Sequence, residues 1–236
     1  MKTIGLIGGM SWESSIEYYR LINETVKSRL GGFHSAKSIM YSVDFAEVEL
    51  LQRQGCWEEA AQLMVAAAQN TERGGADFVV FCTNTMHKVA DEVQKNINIP
   101  ILHIADVTAR KIQEAGFSVV GLLGTRFTME EEFYTGRLRK THGLTVLTPN
   151  SEERDAVHRV IFEELCLGRI VEESRLQFIQ ITARLIDEGA QAVILGCTET
   201  GLLLRPVDVK VPLFDTTRIH AVAAVEYALG EDEVHR

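Results

Sequence analysis

Proline is scarce, with 4 in 236 residues, so few positions force a break in helix or strand. Cysteine is equally rare, and Cys56, Cys82, Cys166 and Cys197 form no CxxC pair and have no histidine at metal spacing. That pattern excludes the common zinc frameworks and predicts free thiols in a reducing cytoplasm, with no metal. Clusters of lysine and arginine are missing, and the formal net charge is −9. Phosphate neutralisation needs a basic surface, so nucleic acid is not an expected partner. Long apolar runs are missing too. None reaches membrane-spanning length, and the apolar stretch after Met1 is too short for a signal peptide, so no membrane partner is expected.

What is present suits an α/β protein: 46% apolar and 24% charged residues, in a chain long enough for one large unit or two small ones. Thr3-Ile-Gly-Leu-Ile reads as a buried strand and Gly8-Gly9-Met10-Ser11 as the turn after it. Ser11 or Ser14 caps a helix whose apolar stripe runs through Ile16, Tyr19, Ile22 and Val26. Strand, glycine turn and helix can hold an anion, but GxxGG lacks the GxGxxG spacing of a dinucleotide site. Strands follow at 38–43, 79–81 and 99–103, separated by helices at 45–51, 57–71 and 86–97, with another helix at 107–115. The 86–97 helix carries Met86, Val89, Val93 and Ile97 on one face.

At Gly116 the pattern restarts. Strands at 119–125, 144–147, 193–195 and 211–215 alternate with helices at 155–167, 172–188 and 219–229, and a polar tail begins at Gly230. Alternation of this kind predicts parallel sheets covered by helices. The expected fold is α/β, in two pseudo-symmetric parallel-sheet halves with the active site in the cleft between them. The first half spans 1–115, with the C-terminal helix 217–236 available to complete it, and the second spans 116–216. Ligands in such folds bind beyond the C-terminal ends of the strands.

The repeat is sharpest between Gly75-Ala-Asp-Phe-Val-Val-Phe-Cys-Thr-Asn-Thr85 and Gly189-Ala-Gln-Ala-Val-Ile-Leu-Gly-Cys-Thr-Glu199. Laid over each other without a gap, 114 residues apart, they put Thr83 opposite Cys197 and leave Cys82 unmatched. Neighbours on a strand point to opposite sides, so Cys82 is expected in the core. Ile99-Pro-Ile-Leu-His103 likewise matches Val211-Pro-Leu-Phe-Asp215. Cys197 at a helix N-terminus is expected to have a lowered pKa and to serve as nucleophile or base. Glu199 or Thr200 would cap that helix, and Asn84 or Thr85 the one after Thr83. His87, four residues past Thr83, falls on the same helical face, within reach of the cleft; a role outside the chemistry is the favoured reading. Cys56 and Cys166 read as bystanders.

Several of these residues resemble the cofactor-independent aspartate/glutamate racemases, with the related hydantoin racemases, maleate isomerases and arylmalonate decarboxylases. The markers are Gly8-Gly9-Met10-Ser11, Asn84-Thr85, Gly124-Thr125 with Thr128, Gly196-Cys197-Thr198-Glu199, and Asp215-Thr216-Thr217. The resemblance implies two cysteines on opposite sides of an amino acid, one removing the α-proton and the other returning it, without a cofactor. Here the usual first Cys-Asn-Thr reads Thr83-Asn84-Thr85. A hydroxyl can donate a proton but is a poor base near neutral pH.

By resemblance, then, Cys197 deprotonates L-aspartate or L-glutamate and Thr83 serves the opposite face, biased from L to D. Met10, Ser11, Asn84, Thr85, Thr125, Thr128, Thr198 and Glu199 are implied as substrate-binding residues. Gln52 and Arg53 lie where the family carries an arginine, and Arg169 is another candidate cation. The implied assembly is a homodimer acting on a small acidic amino acid. Two competing readings keep the fold: a one-cysteine enzyme like arylmalonate decarboxylase, and a non-catalytic binder of acidic amino acids.

Overall fold

The computed structural model describes residues 1–231, so the last residues of the expected tail and of the 217–236 segment lie outside the described residues. The chain divides into two compact units. One is Met1–His103 with the chain from His220 onward, and the other is Ile104–Ile219.

The first unit holds three parallel strands, β1 (Ile4–Gly8), β2 (Ser38–Ser42) and β3 (Phe78–Phe81), in the order β2-β1-β3. β1 and β3 are buried along their whole length, which is why they read as unbroken apolar runs, whereas β2 is a partly exposed edge. Gly5 is required in β1 because a Cβ there would meet Thr71 Cγ2 at 2.4 Å. The second unit holds β4 (Val119–Gly124), β5 (Thr145–Leu147), β6 (Ala192–Gly196) and β7 (Leu213–Asp215), all parallel, in the order β5-β4-β6-β7. Among the described residues no helix is long and apolar enough to cross a membrane.

The two sheets share one plan, down to register. Gly5 pairs with Val79 in the first and Gly121 with Val193 in the second. Val79 and Val193 stand 114 residues apart, the offset seen in the sequence. Val79 bridges Ile101 just as Val193 pairs with Leu213. The expected 99–103 strand is reduced to that bridge, and the helix Ile104–Glu114 begins directly after His103.

Three expectations need correction. The first helix, Trp12–Leu30, buries Tyr18, Leu21, Ile22 and Val26 but leaves Ile16 and Tyr19 exposed. Ser15 turns inward instead, accepting the Gly9 N–H at 2.7 Å, and so sets the rotation of the helix. Second, the helix Ile104–Glu114 packs Ile104, Ala105, Ala109 and Ile112 into the core around β4 and β6, so the chain changes unit before that helix and not at Gly116. Third, Arg126–Glu130 and Thr135–Lys140 are short helices that no periodicity announced, since fewer than two turns are too brief to show a 3.6-residue stripe.

Helix Thr216–Leu229 carries the chain back into the first unit at His220. His220 Nε2 lies 2.8 Å from the Leu102 carbonyl and Nδ1 lies 2.8 Å from the Tyr18 hydroxyl. A carbonyl only accepts, so Nε2 carries the proton and Tyr18 donates to Nδ1. Burial holds the ring neutral, with a pKa lowered to about 4 against the opposing pull of the Leu102 carbonyl.

An unfolded histidine takes up its proton near pH 6.5, whereas this one stays neutral until about 4, so stability falls as pH falls through that window. Urea denaturation between pH 7 and 5 should show a loss of up to about 1.4 kcal/mol per pH unit from this one group, diminished in His220→Gln. An unchanged pH slope in the variant would contradict the assignment.

Candidate active site

Cys197 is the first residue past β6. Its thiol donates to Glu199 Oε2 at 3.0 Å, and the Thr198 hydroxyl donates to the same oxygen. Thr200 turns its hydroxyl onto the Cys197 carbonyl at 2.6 Å. The helix that follows, Thr200–Leu203, is one turn long, and Glu199 makes no side-chain cap to it. The expected cap is therefore wrong: this carboxylate is engaged with the thiol.

The expected low thiol pKa is corrected as well. Burial first, then the negative charge of Glu199 and the neighbouring Cys166, push the Cys197 thiol well above the ordinary range, against a backbone hydrogen bond from Glu199. A one-turn helix has little dipole to set against that charge. At rest, Cys197 is a thiol held by a carboxylate.

The neighbouring strand end supplies two threonines. Gly124 of β4 is in register with Gly196 of β6, and a Cβ on Gly124 would come within 2.9 Å of the Gly196 carbonyl. Thr125 caps the helix Arg126–Glu130, accepting the Thr128 N–H at 3.3 Å, with the two hydroxyls 3.1 Å apart. Thr128 is fully buried, and its methyl would stand 3.4 Å from a Cβ on Gly196. Thr125, Thr128, Cys197, Thr198 and Glu199 are thus gathered at one end of β4 and β6.

In the first unit, Thr83 lies two residues past β3 and is buried, and its carbonyl accepts from His87 Nδ1 at 2.9 Å. Cys82 lies in the core with Ile4, Leu6 and Tyr18, its N–H bonded to the Ile7 carbonyl at 2.9 Å. Burial pushes its thiol far up. Asn84 and Thr85 are buried at the start of the 3-10 turn Thr85–Val89, and Asn84 makes no side-chain cap, contrary to expectation. Met10 and Ser11 form the buried turn after β1, where Ser11 accepts the Ser14 N–H at 3.3 Å and caps the first helix. Gln52 is buried on the helix Phe45–Gln54 and donates to Met86 Sδ at 3.1 Å. Arg53 is exposed and pairs with Glu49 at 3.3 Å, and Arg169 is also exposed.

His87 is a core residue. It is buried against Phe81, His103 and His220, with ring centroids 5.1, 4.6 and 5.8 Å away. Burial first, then His103 and His220, hold its pKa well below the usual value, against the main chain of Thr83 and Asn84. Sequence reasoning missed this cluster because its members are far apart in the chain. It also missed the bond from thiol to Glu199, although a carboxylate two residues past a cysteine was there to be read.

Residues 7–224 match the profile of the family described as Asp/Glu/Hydantoin racemase. The solved structure of a candidate Asp/Glu racemase from Yersinia pestis is 55% identical, with a TM-score of 0.91 over 97% of this chain and 100% of that one. That of an aspartate racemase homologue from Pyrococcus horikoshii is 37% identical, with a TM-score of 0.83 over 97% of this chain and 100% of its own. The broad-specificity amino-acid racemase of Bacillus subtilis is 24% identical over 177 residues, 73% of this chain and 74% of that protein. With a family match running nearly end to end and a fold shared with these structures, this chain belongs to the Asp/Glu/hydantoin racemase family of isomerases.

Proposed function

We propose that the protein is a cofactor-independent racemase of L-aspartate or L-glutamate in which Cys197 removes the α-proton and Thr83 serves the opposite face. The observation that carries this reading is the Cys197–Glu199 pair just past β6, with Thr83 two residues past β3 at the place 114 residues earlier. The relatives' own descriptions, an Asp/Glu racemase candidate and an aspartate racemase homologue, favour an acidic amino acid. The reading includes a cytoplasmic homodimer.

Glu199 receives the thiol proton as the substrate arrives with its cationic ammonium group, and the thiolate takes the α-proton. Charge then moves onto the substrate carboxylate, where preorganised donors lower the barrier. Met10, Ser11, Asn84, Thr85, Thr125, Thr128 and Thr198 are the groups proposed to surround it, with Gln52 in the pocket. The Thr83 hydroxyl hands its proton to the far face and takes one from water. The proton gained at Cys197 and Glu199 leaves to solvent, so the cycle closes. In reverse, Thr83 would have to act as base, which a hydroxyl does poorly, so the reaction is biased from L to D.

Chiral chromatography should find D-aspartate or D-glutamate formed from the L-enantiomer by the wild type, and at least about a hundredfold less by Cys197→Ser, as expected when a catalytic base is lost. Equal rates in the two proteins would sink the reading. Glu199→Gln removes the charge that disfavours thiolate, so the pH of half-maximal alkylation of Cys197, followed on its own peptide by mass spectrometry, should move down. D-product formation in the same variant should fall by roughly a hundredfold, because the acceptor of the thiol proton is gone. A titration that does not move would show that Glu199 has no hold on the thiol.

A further inference from the structure

The group behind Thr83 differs from the group behind Cys197, and the repeat shows where. Glu199 grips the Cys197 thiol, whereas the residue at the matching place in the first unit is Thr85, which carries no charge. What touches Thr83 instead is His87, through a 2.9 Å bond from Nδ1 to the Thr83 carbonyl. The counterpart of His87, 114 residues on, is Gly201, and the counterpart of His103 is Asp215. A Cβ on Gly201 would lie 3.5 Å from Asp215 Oδ2, so these two places adjoin in the second unit as they do in the first. Only the unit with Thr83 fills them with imidazoles, whose centroids are 4.6 Å apart.

From this geometry we infer that His87 is a positioning residue for Thr83: its Nδ1–H bond fixes the turn after β3, and with it the direction of the Thr83 hydroxyl. The inference rests on the role given to Thr83 above. A carbonyl can only accept, so Nδ1 carries the proton, and in the neutral ring Nε2 does not. Orientation is enforced from behind. Phe81 packs on one side of the ring, His103 meets it edge-on, and His220 is itself pinned between Tyr18 and the Leu102 carbonyl. A four-residue link from Thr83 to His87 closes the turn on itself, so Thr83 has little freedom to swing. A hydroxyl that must meet one face of a carbanion needs this kind of restraint, since a misplacement near 1 Å can cost roughly a hundredfold in rate.

The test compares His87→Leu, which fills the space without a donor, with His87→Asn, whose side-chain N–H reaches the place of Nδ1. Two rates are read with L-aspartate and L-glutamate in deuterated water: D-enantiomer formation, and α-deuterium uptake into recovered L-substrate. His87→Leu should slow D-formation roughly tenfold to a hundredfold while deuterium uptake from the Cys197 face stays within about twofold, and His87→Asn should regain most of the loss. An equal fall in both rates in both variants, or no fall in D-formation, overturns the inference. Nitrogen NMR of the folded wild type gives a readout that needs no substrate: the Nδ1–H tautomer of His87 is expected, and the Nε2–H tautomer overturns it. A wild type that turns over neither amino acid would sink the racemase reading, leaving the positioning claim to be decided by the tautomer alone.

Discussion

A parallel strand stops where its hydrogen-bond ladder stops, and the side chains just past that point are the ones left without neighbours on the strand. In this protein the register of β1 with β3 and of β4 with β6 sets that point for both units. Gly5 with Val79 and Gly121 with Val193 lock the ladders, and glycine is needed at Gly5 and Gly124 because the space beside the backbone is already filled. Shifting either register by one residue would turn the side chains of that strand to the opposite face and displace the residues that follow it, Thr83 in one unit and Cys197 in the other. Everything proposed about the chemistry depends on those two registers.

Charge then separates the two strand ends. Burial, and then the charge of Glu199, keep Cys197 protonated at rest. Thr83 has no carboxylate at the corresponding place, and the imidazoles behind it are held neutral by burial. On the proposed reading, one end works as an acid–base pair and the other as a hydroxyl held from behind, and the direction from L to D follows from the difference between sulfur and oxygen acidity.

Much of the fold was legible because its strands are short, apolar and bounded by glycine, and because the repeat reports the register directly. Thr83 could be matched to Cys197 from Gly75 and Gly189 alone, and the sheet pairing carries the same offset. Other features were hidden for physical reasons. The rotation of the first helix is set by Ser15 binding the Gly9 N–H, a polar contact that an apolar stripe cannot reveal. The unit boundary falls at His103 because the helix Ile104–Glu114 packs forward, which depends on tertiary contacts and not on periodicity. The thiol pKa runs opposite to the helix-dipole expectation because burial, and then the carboxylate two residues on, outweigh a one-turn helix. His87, His103 and His220 meet only through folding.

The central claim is that Cys197 and Thr83 are unequal partners at one α-carbon. The most direct measurement is α-deuterium uptake in deuterated water from L- and D-aspartate and L- and D-glutamate, with wild type and Thr83→Cys. The account predicts that the wild type exchanges an L-enantiomer far faster than its mirror image, and that Thr83→Cys extends exchange to the D-form. Equal exchange of both enantiomers by the wild type, or a D-rate indifferent to Thr83→Cys, would contradict it.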